Sequence, residues 1–186
     1  MADEVWLLRH AETEWSRAGK HTGRTDIALT EEGREAARRL GERLSGEAFA
    51  LVLCSPLSRA RETAQLARLE CSGLRDDLLE WDYGEYEGLT TPEIREHRPD
   101  WYLWHDGVPG GEMPHDVAAR CDRVIAEART VEGKVALVAH GHILRALAAR
   151  WIDAPIDLGG RLHLGTGAVS MLAYEREVAV ISRWNT

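Results

Sequence analysis

Three short apolar runs, Val5 to Leu8, Phe49 to Cys54 and Val135 to Ala139, constrain this chain more than any other feature. Each is too continuous to be a strand with one face in water, which would alternate apolar and polar side chains. Buried strands of a parallel sheet have this pattern, and parallel neighbours need long crossovers, usually helical. Helix signals stand where those crossovers are required. Thr30 caps a segment opened by Glu31 and Glu32, with Ala36, Ala37, Leu40 and Leu44 at helical spacing. Ser55 and Pro56 read as an N-cap and first helical position for a helix carrying Ala60, Ala64 and Ala67, and Thr91-Pro92 repeats that signal for a shorter one. From Pro114 onward Val117, Cys121, Val124, Ile125 and Ala128 form one helical face, and a further helix runs from about Ile143 to Trp151. Val169 to Tyr174 and Val178 to Ile181, separated by a charged turn, predict a hairpin or a pair at the sheet edge.

This alternation predicts an α/β fold, a three-layer α/β/α sandwich around a mostly parallel central sheet. With 186 residues, 44% of them apolar, the chain is expected to form a single domain over residues 1–186 that needs no metal or disulfide to hold its core. Residues 74–111, rich in Trp, Tyr, Gly and acids, read as a short lid-like insertion near the active site. Trp81, Trp101 and Trp104 are expected to pack this insertion onto the sheet rather than to touch substrate. Cys54, Cys71 and Cys121 show no CxxC pairing and read as buried thiols in a reducing compartment, with a single disulfide left open. The beginning of the chain lacks the basic region of a signal peptide, and no segment has bilayer-spanning length, so the expected location is cytoplasmic. Lys and Arg number 23 against 31 Asp and Glu, a net charge of −8 that argues against nucleic acid and anionic membranes as partners. An anionic ligand then requires a locally cationic pocket.

Ligands of open α/β sheets bind at the carboxyl ends of the strands. The three apolar runs end in Arg9-His10, in Ser55 with Arg59 one turn on, and in His140-Gly141-His142. Arg59 falls in the first turn of its helix, where a cation opposes the macrodipole, so something anionic is expected there. A phosphate held by Arg9 and Arg59 would lie against His10, whose neutral ring can attack phosphorus if its other nitrogen is tied down. His140 would donate to the phosphoryl oxygens. A rival reading joins His140 and His142 to His163, Asp82 or Glu80 as a hydrolytic metal site, but it leaves both arginines unexplained.

Leu8-Arg9-His10-Ala11-Glu12-Thr13, the run Ser55-Pro56-Leu57-Ser58-Arg59-Ala60-Arg61-Glu62-Thr63-Ala64, and Ala139-His140-Gly141-His142 resemble, in order and spacing, the three signatures of the histidine phosphatase superfamily, also called phosphoglycerate-mutase-like. Thr22-Gly23, Asp26, Leu29-Thr30 and the stretch from Glu80 to Gly88 add to the likeness, which runs from about residue 5 to 150. The resemblance implies that His10 becomes phosphohistidine, that Arg9, Arg59 and His140 hold the phosphoryl group, and that Glu80 serves as general acid and then base. It also implies that Ser16, Thr22, Gly23, Gly141 and His142 contact substrate. No cofactor or metal is implied, because the cationic pocket supplies the electrostatic stabilisation. Ala11 stands where the family usually has glycine, which requires φ below zero there. Ser16 stands where the family often has asparagine, so its contact is expected to be shorter or through water.

Mutases of this family carry a long insertion with an arginine pair and a proline run, which this chain lacks after Gly88. Water should therefore reach the phosphoenzyme. The aromatic and acidic stretch resembles the branch of broad-range acid phosphatases and sugar bisphosphatases. The expected activity is metal-independent hydrolysis of small phosphorylated metabolites, with an acidic pH optimum. Mutase-type phosphoryl transfer, or a non-catalytic phosphate-binding module, are the alternatives, and a homo-oligomer is left open.

Overall fold

A computed structural model of the protein describes residues 2–186. Six strands form one mixed sheet: β1 (Ala2–Arg9), β2 (Leu51–Cys54), β3 (Gly73–Leu74), β4 (Gly133–Ala139), β5 (Val169–Glu175) and β6 (Val178–Arg183), in the spatial order β3-β2-β4-β1-β5-β6. The first four in that order are parallel, and the β5–β6 hairpin closes the sheet antiparallel to β1. The expected hairpin is thus present. β3 has only two residues and no apolar run announces it.

Side chains of a strand alternate between faces, and the core divides accordingly. Leu7, Leu53, Val135 and Leu137 point toward α6 (Pro114–Arg129) and α7 (Gly141–Trp151). Leu8, Val52, Cys54, Ala136 and Val138 point the other way, toward Leu40 of α2 (Glu31–Arg43) and Ala60 and Ala64 of α3 (Ser58–Leu66). Helices therefore cover both faces, which is why the central strands carry no polar alternation. Residues 74–111 form two short 3-10 turns, α4 (Thr91–His97) and α5 (Leu103–Asp106); the remaining helix, α1 (Glu14–Arg17), follows β1. Trp81, Trp101 and Trp104 are buried in the core cluster on the α6–α7 side, as expected of packing residues.

Four local expectations are corrected. The second strand begins at Leu51 rather than Phe49. The third helix begins at Ser58, not Pro56, because the Ser55 hydroxyl is engaged with His140 at 2.7 Å. The exposed helix start is capped instead from a distant loop, the Asp26 carboxylate accepting from Ser58 N at 2.9 Å and from Ser58 Oγ at 2.8 Å. Thr90, one residue earlier than expected, caps α4 in a reciprocal box with Glu93. Finally, Cys54 and Cys71 are not buried thiols but a disulfide, with Cα atoms 6.3 Å apart. Pairing of β2 with β3 and the bond from Ser72 N to Val52 O bring exposed Cys71 alongside buried Cys54. Cys121 is a buried thiol whose pKa burial raises to about 12.

Candidate active site

Parallel register decides which residues meet. Arg9 lies level with Ala139, Cys54 with Val138, and both Ser55 N and His10 N donate to backbone carbonyls of β4. His10, Ser55 and His140 therefore emerge side by side from three adjacent strands, with the His10 and His140 rings 5.1 Å apart. Above them lies a pocket of about 270 Å³ lined by Arg9, His10, Ser16, Thr22, Glu80, Gly141 and His142 among the expected residues.

His10 Nδ1 donates to Ala11 O at 2.7 Å, so Nε2 keeps the lone pair. Burial, with Arg9 and Arg59 adding to it, holds this imidazole well below its ordinary range and therefore neutral. Ala11 avoids positive φ, as its side chain requires, and its N–H donates to Thr63 Oγ1. The Arg9 guanidinium packs against the backbone of Gly141, where a Cβ would come within 3.2 Å of it. Arg9 Nη1 donates to Leu164 O, whereas Nε is buried without a partner. Such a cation favours an anion in the pocket.

Glu80 is 5% exposed and anchored by three amides: Oε1 accepts from Trp81 N and Ile143 N, and Oε2 from His142 N. It thereby satisfies the start of α7, and Oε2 retains a lone pair that can carry a proton. His142 Nδ1 shares a 2.5 Å hydrogen bond with Tyr83 OH. Burial raises the Tyr83 phenol well above its ordinary value and lowers His142, with Arg145 adding to the latter shift, so both groups are neutral.

Arg59, Gly23 and His140 do not line the cavity. Arg59 Nε donates to His140 Nδ1 at 3.1 Å, Nη1 to Thr25 O, and Nη2 to Thr22 O and Gly23 O, which leaves one Nη1 hydrogen over. With Nδ1 accepting, His140 Nε2 donates to Ser55 Oγ. The arginine therefore fastens the 22–25 loop behind His10, and His140 aligns the arginine. Gly23 N donates to Glu87, and a Cβ at Gly23 would stand 2.5 Å from Trp81 O, so glycine is required for close packing. Ser16 is also partly committed: its hydroxyl donates to Thr13 O and accepts from Thr13 N in the cap of α1.

Lys20, His21, Tyr83, Thr91 and Arg145 line the pocket without having been singled out by motif. Arg145 was findable, since it lies one helical turn beyond His142 on the same face. His21 is buried enough that its pKa falls to about 4. Among the described residues, no group of three or more His, Cys, Asp or Glu side chains is placed to hold a metal ion, and no helix is long and apolar enough to cross a membrane.

The family model of the histidine phosphatase superfamily, branch 1, matches residues 5–186. An acid phosphatase of Mycobacterium tuberculosis is 43% identical over 183 residues, covering 94% of this chain and 90% of that protein. A sedoheptulose 1,7-bisphosphatase of Saccharomyces cerevisiae is 34% identical over 184 residues, covering 81% and 68%. The solved structure of a functionally characterised Mycobacterium tuberculosis open reading frame superposes with a TM-score of 0.96 at 40% identity, covering 98% of this chain and 96% of that one. A likeness spanning almost all of the sequence and the whole architecture leaves one conclusion: the protein belongs to branch 1 of the histidine phosphatase superfamily and is a phosphatase.

Proposed function

We propose that this phosphatase hydrolyses monoesters of small phosphorylated metabolites through a phosphohistidine at His10 and without a metal ion. The observation that carries the reading is the fixed tautomer of His10, whose Nδ1–H is spent on Ala11 O, so that a neutral ring with Nε2 unprotonated lines the same pocket as the Arg9 side chain. Nε2 attacks phosphorus as the ester P–O bond breaks, and Glu80 Oε2 gives its proton to the departing alkoxide. Water then attacks the phosphohistidine, Glu80 accepts its proton, and the N–P bond electrons return to Nε2. Arg9 faces the phosphoryl oxygens directly, while Arg59 supplies positive field behind the ring and neutral His140 holds Arg59 in alignment. The net charge of −8 fits a small ligand drawn into one cationic cup better than a nucleic acid or a lipid surface.

Replacing His10 with alanine tests the mechanism. Hydrolysis of phenyl phosphate is expected to fall by at least about three orders of magnitude, the size of effect seen when a covalent nucleophile is removed, with an unchanged circular dichroism spectrum. Undiminished turnover would refute it. Transfer of the phosphoryl group to an added alcohol without release of inorganic phosphate from the unaltered enzyme would favour the mutase reading instead.

A further inference from the structure

Glu80 lies in a stretch, residues 79–83, that belongs to no helix or strand. The first amides of α7 hold its carboxylate, but no regular hydrogen-bond ladder holds the backbone that carries it. That task falls to a buried ion pair from outside the stretch. Arg120, on α6 and only 8% exposed, joins Glu112 through Nε to Oε1 at 2.7 Å and through Nη2 to Oε2 at 2.8 Å. Its Nη1 donates to Asp77 O at 2.7 Å and to Leu79 O at 2.9 Å, so the same fork grips the chain immediately before Glu80. Glu112 grips it immediately after. Its Oε2 accepts from Asp82 N at 2.9 Å, its amide donates to Asp82 O at 3.0 Å, and its carbonyl accepts from Trp81 Nε1 at 2.9 Å. Gly111 approaches Asp82 O so closely that a side chain there has no room. The arginine thus commits four of its five N–H groups to this one segment and its partner.

We propose that the Arg120–Glu112 pair is a positioning device for the proton donor: α6 sets where the Glu80 backbone stands, α7 sets where its carboxyl points, and together they aim Oε2 at the leaving oxygen. The proposal rests on the reading of Glu80 as acid and base, and adds the residues through which that role is held. Neither partner lines the pocket, so neither touches substrate. Proton transfer demands hydrogen-bond reach, and a displacement of about 1 Å can cost about a hundredfold in rate. A buried ion pair is a poor source of stability, because desolvation of both charges offsets their attraction. What this one supplies is geometry, a planar fork that fixes two carbonyls and a carboxylate at set angles.

The test compares kcat/KM for propyl phosphate, whose alkoxide needs a proton to leave, with that for para-nitrophenyl phosphate, whose phenolate does not. Each value covers the steps up to departure of the leaving group, so the ratio of the two reads the acid. Arg120→Lys keeps the charge beside Glu112 but not the fork, and should lower the ratio about tenfold. Replacing both partners, Arg120→Met with Glu112→Leu, strands no buried charge and should lower it by up to about a hundredfold. Para-nitrophenyl phosphate should lose far less in each, and urea unfolding shows that each is folded. A pair that merely stabilised the fold would slow both esters alike. In a Glu80→Gln background the same replacements should leave the ratio where Glu80→Gln alone puts it, since they act through that one group. A ratio unchanged by the double replacement, or by Arg120→Lys should the double one fail to fold, would overturn the clamp. A further fall in the Glu80→Gln background would overturn it too. Glu80→Gln by itself keeps the two questions apart. If it leaves the ratio unchanged, the acid reading fails and the clamp with it; a ratio lowered by Glu80→Gln and by neither ion-pair variant overturns the clamp alone.

Discussion

The two ends of the pocket are built from different material. At the reactive end, His10 directly follows β1 and Gly141 stands two residues past β4, and the pairing of these central strands fixes them to each other. At the far end, beyond His142 and Arg145, Trp101, Tyr102 and Trp104 come from a stretch without strands, held by side-chain bonds such as Trp101 Nε1 to Gly107 O at 3.0 Å and by packing of Trp81 edge-on to Trp104. Neighbouring strand ends bring His10 and Arg9 to the pocket, with Glu80 pinned to them from the loop by the α7 amides, whereas the far wall depends on large rings filling one another's gaps. The two ends of the pocket therefore owe their shape to different kinds of contact.

The largest effect that sharpens this contrast is expected from Glu80→Gln. It should slow esters with poor leaving groups by about 10²- to 10⁴-fold and phenyl phosphate far less, since only the former need a proton in the transition state. Equal losses in kcat/KM on both would move the acid role elsewhere. Trp104→Ala comes next. This ring is 3% exposed and touches Trp81, His142 and Arg145, so its removal should cost about 3–5 kcal/mol in denaturant unfolding. A loss below about 1 kcal/mol would show that the far wall is not core but a movable flap.

A further effect concerns pH and spans both ends. Burial keeps His10, His140 and His142 neutral well below their ordinary range, and holds His21 at about 4. The unfolded chain takes up these protons as pH falls below about 6.5, while the folded chain does not. Stability is therefore full above that value and declines as pH drops through the window between about 6.5 and the folded values. Thermal melts should show it, and a Tm that is flat between about pH 7 and 5 would contradict it. The same neutrality keeps the His10 nucleophile competent in acid, in line with an acidic optimum; a kcat/KM that rises steadily above about pH 8 would not fit.

The sheet was legible because buried parallel strands must be continuously apolar, and Val135 to Ala139 could hardly be anything else. Arg9, His10 and His140 were legible because they sit in contiguous motifs at the ends of those strands, whereas Glu80 was legible only through the family resemblance of its stretch. What escaped was everything made by non-local pairing. Nothing around Ser55 says that its hydroxyl serves His140 rather than a helix, or that Asp26 takes over the cap. The two-residue strand that sets Cys71 beside Cys54 has no pattern of its own. Arg145 carried a visible cue in its helical spacing from His142.

The attachment of Glu80 to the first amides of α7 couples two groups of the pocket to one element. The proton donor is clamped to His142 N and Ile143 N, and the Arg145 guanidinium rises from the same helix beside them. Both groups are thereby referred to one rigid rod, and their points of attachment lie less than one helical pitch, about 5.4 Å, apart along its axis. Any tilt of that rod moves the Glu80 carboxyl and the Arg145 guanidinium together, so the spacing between them is preserved.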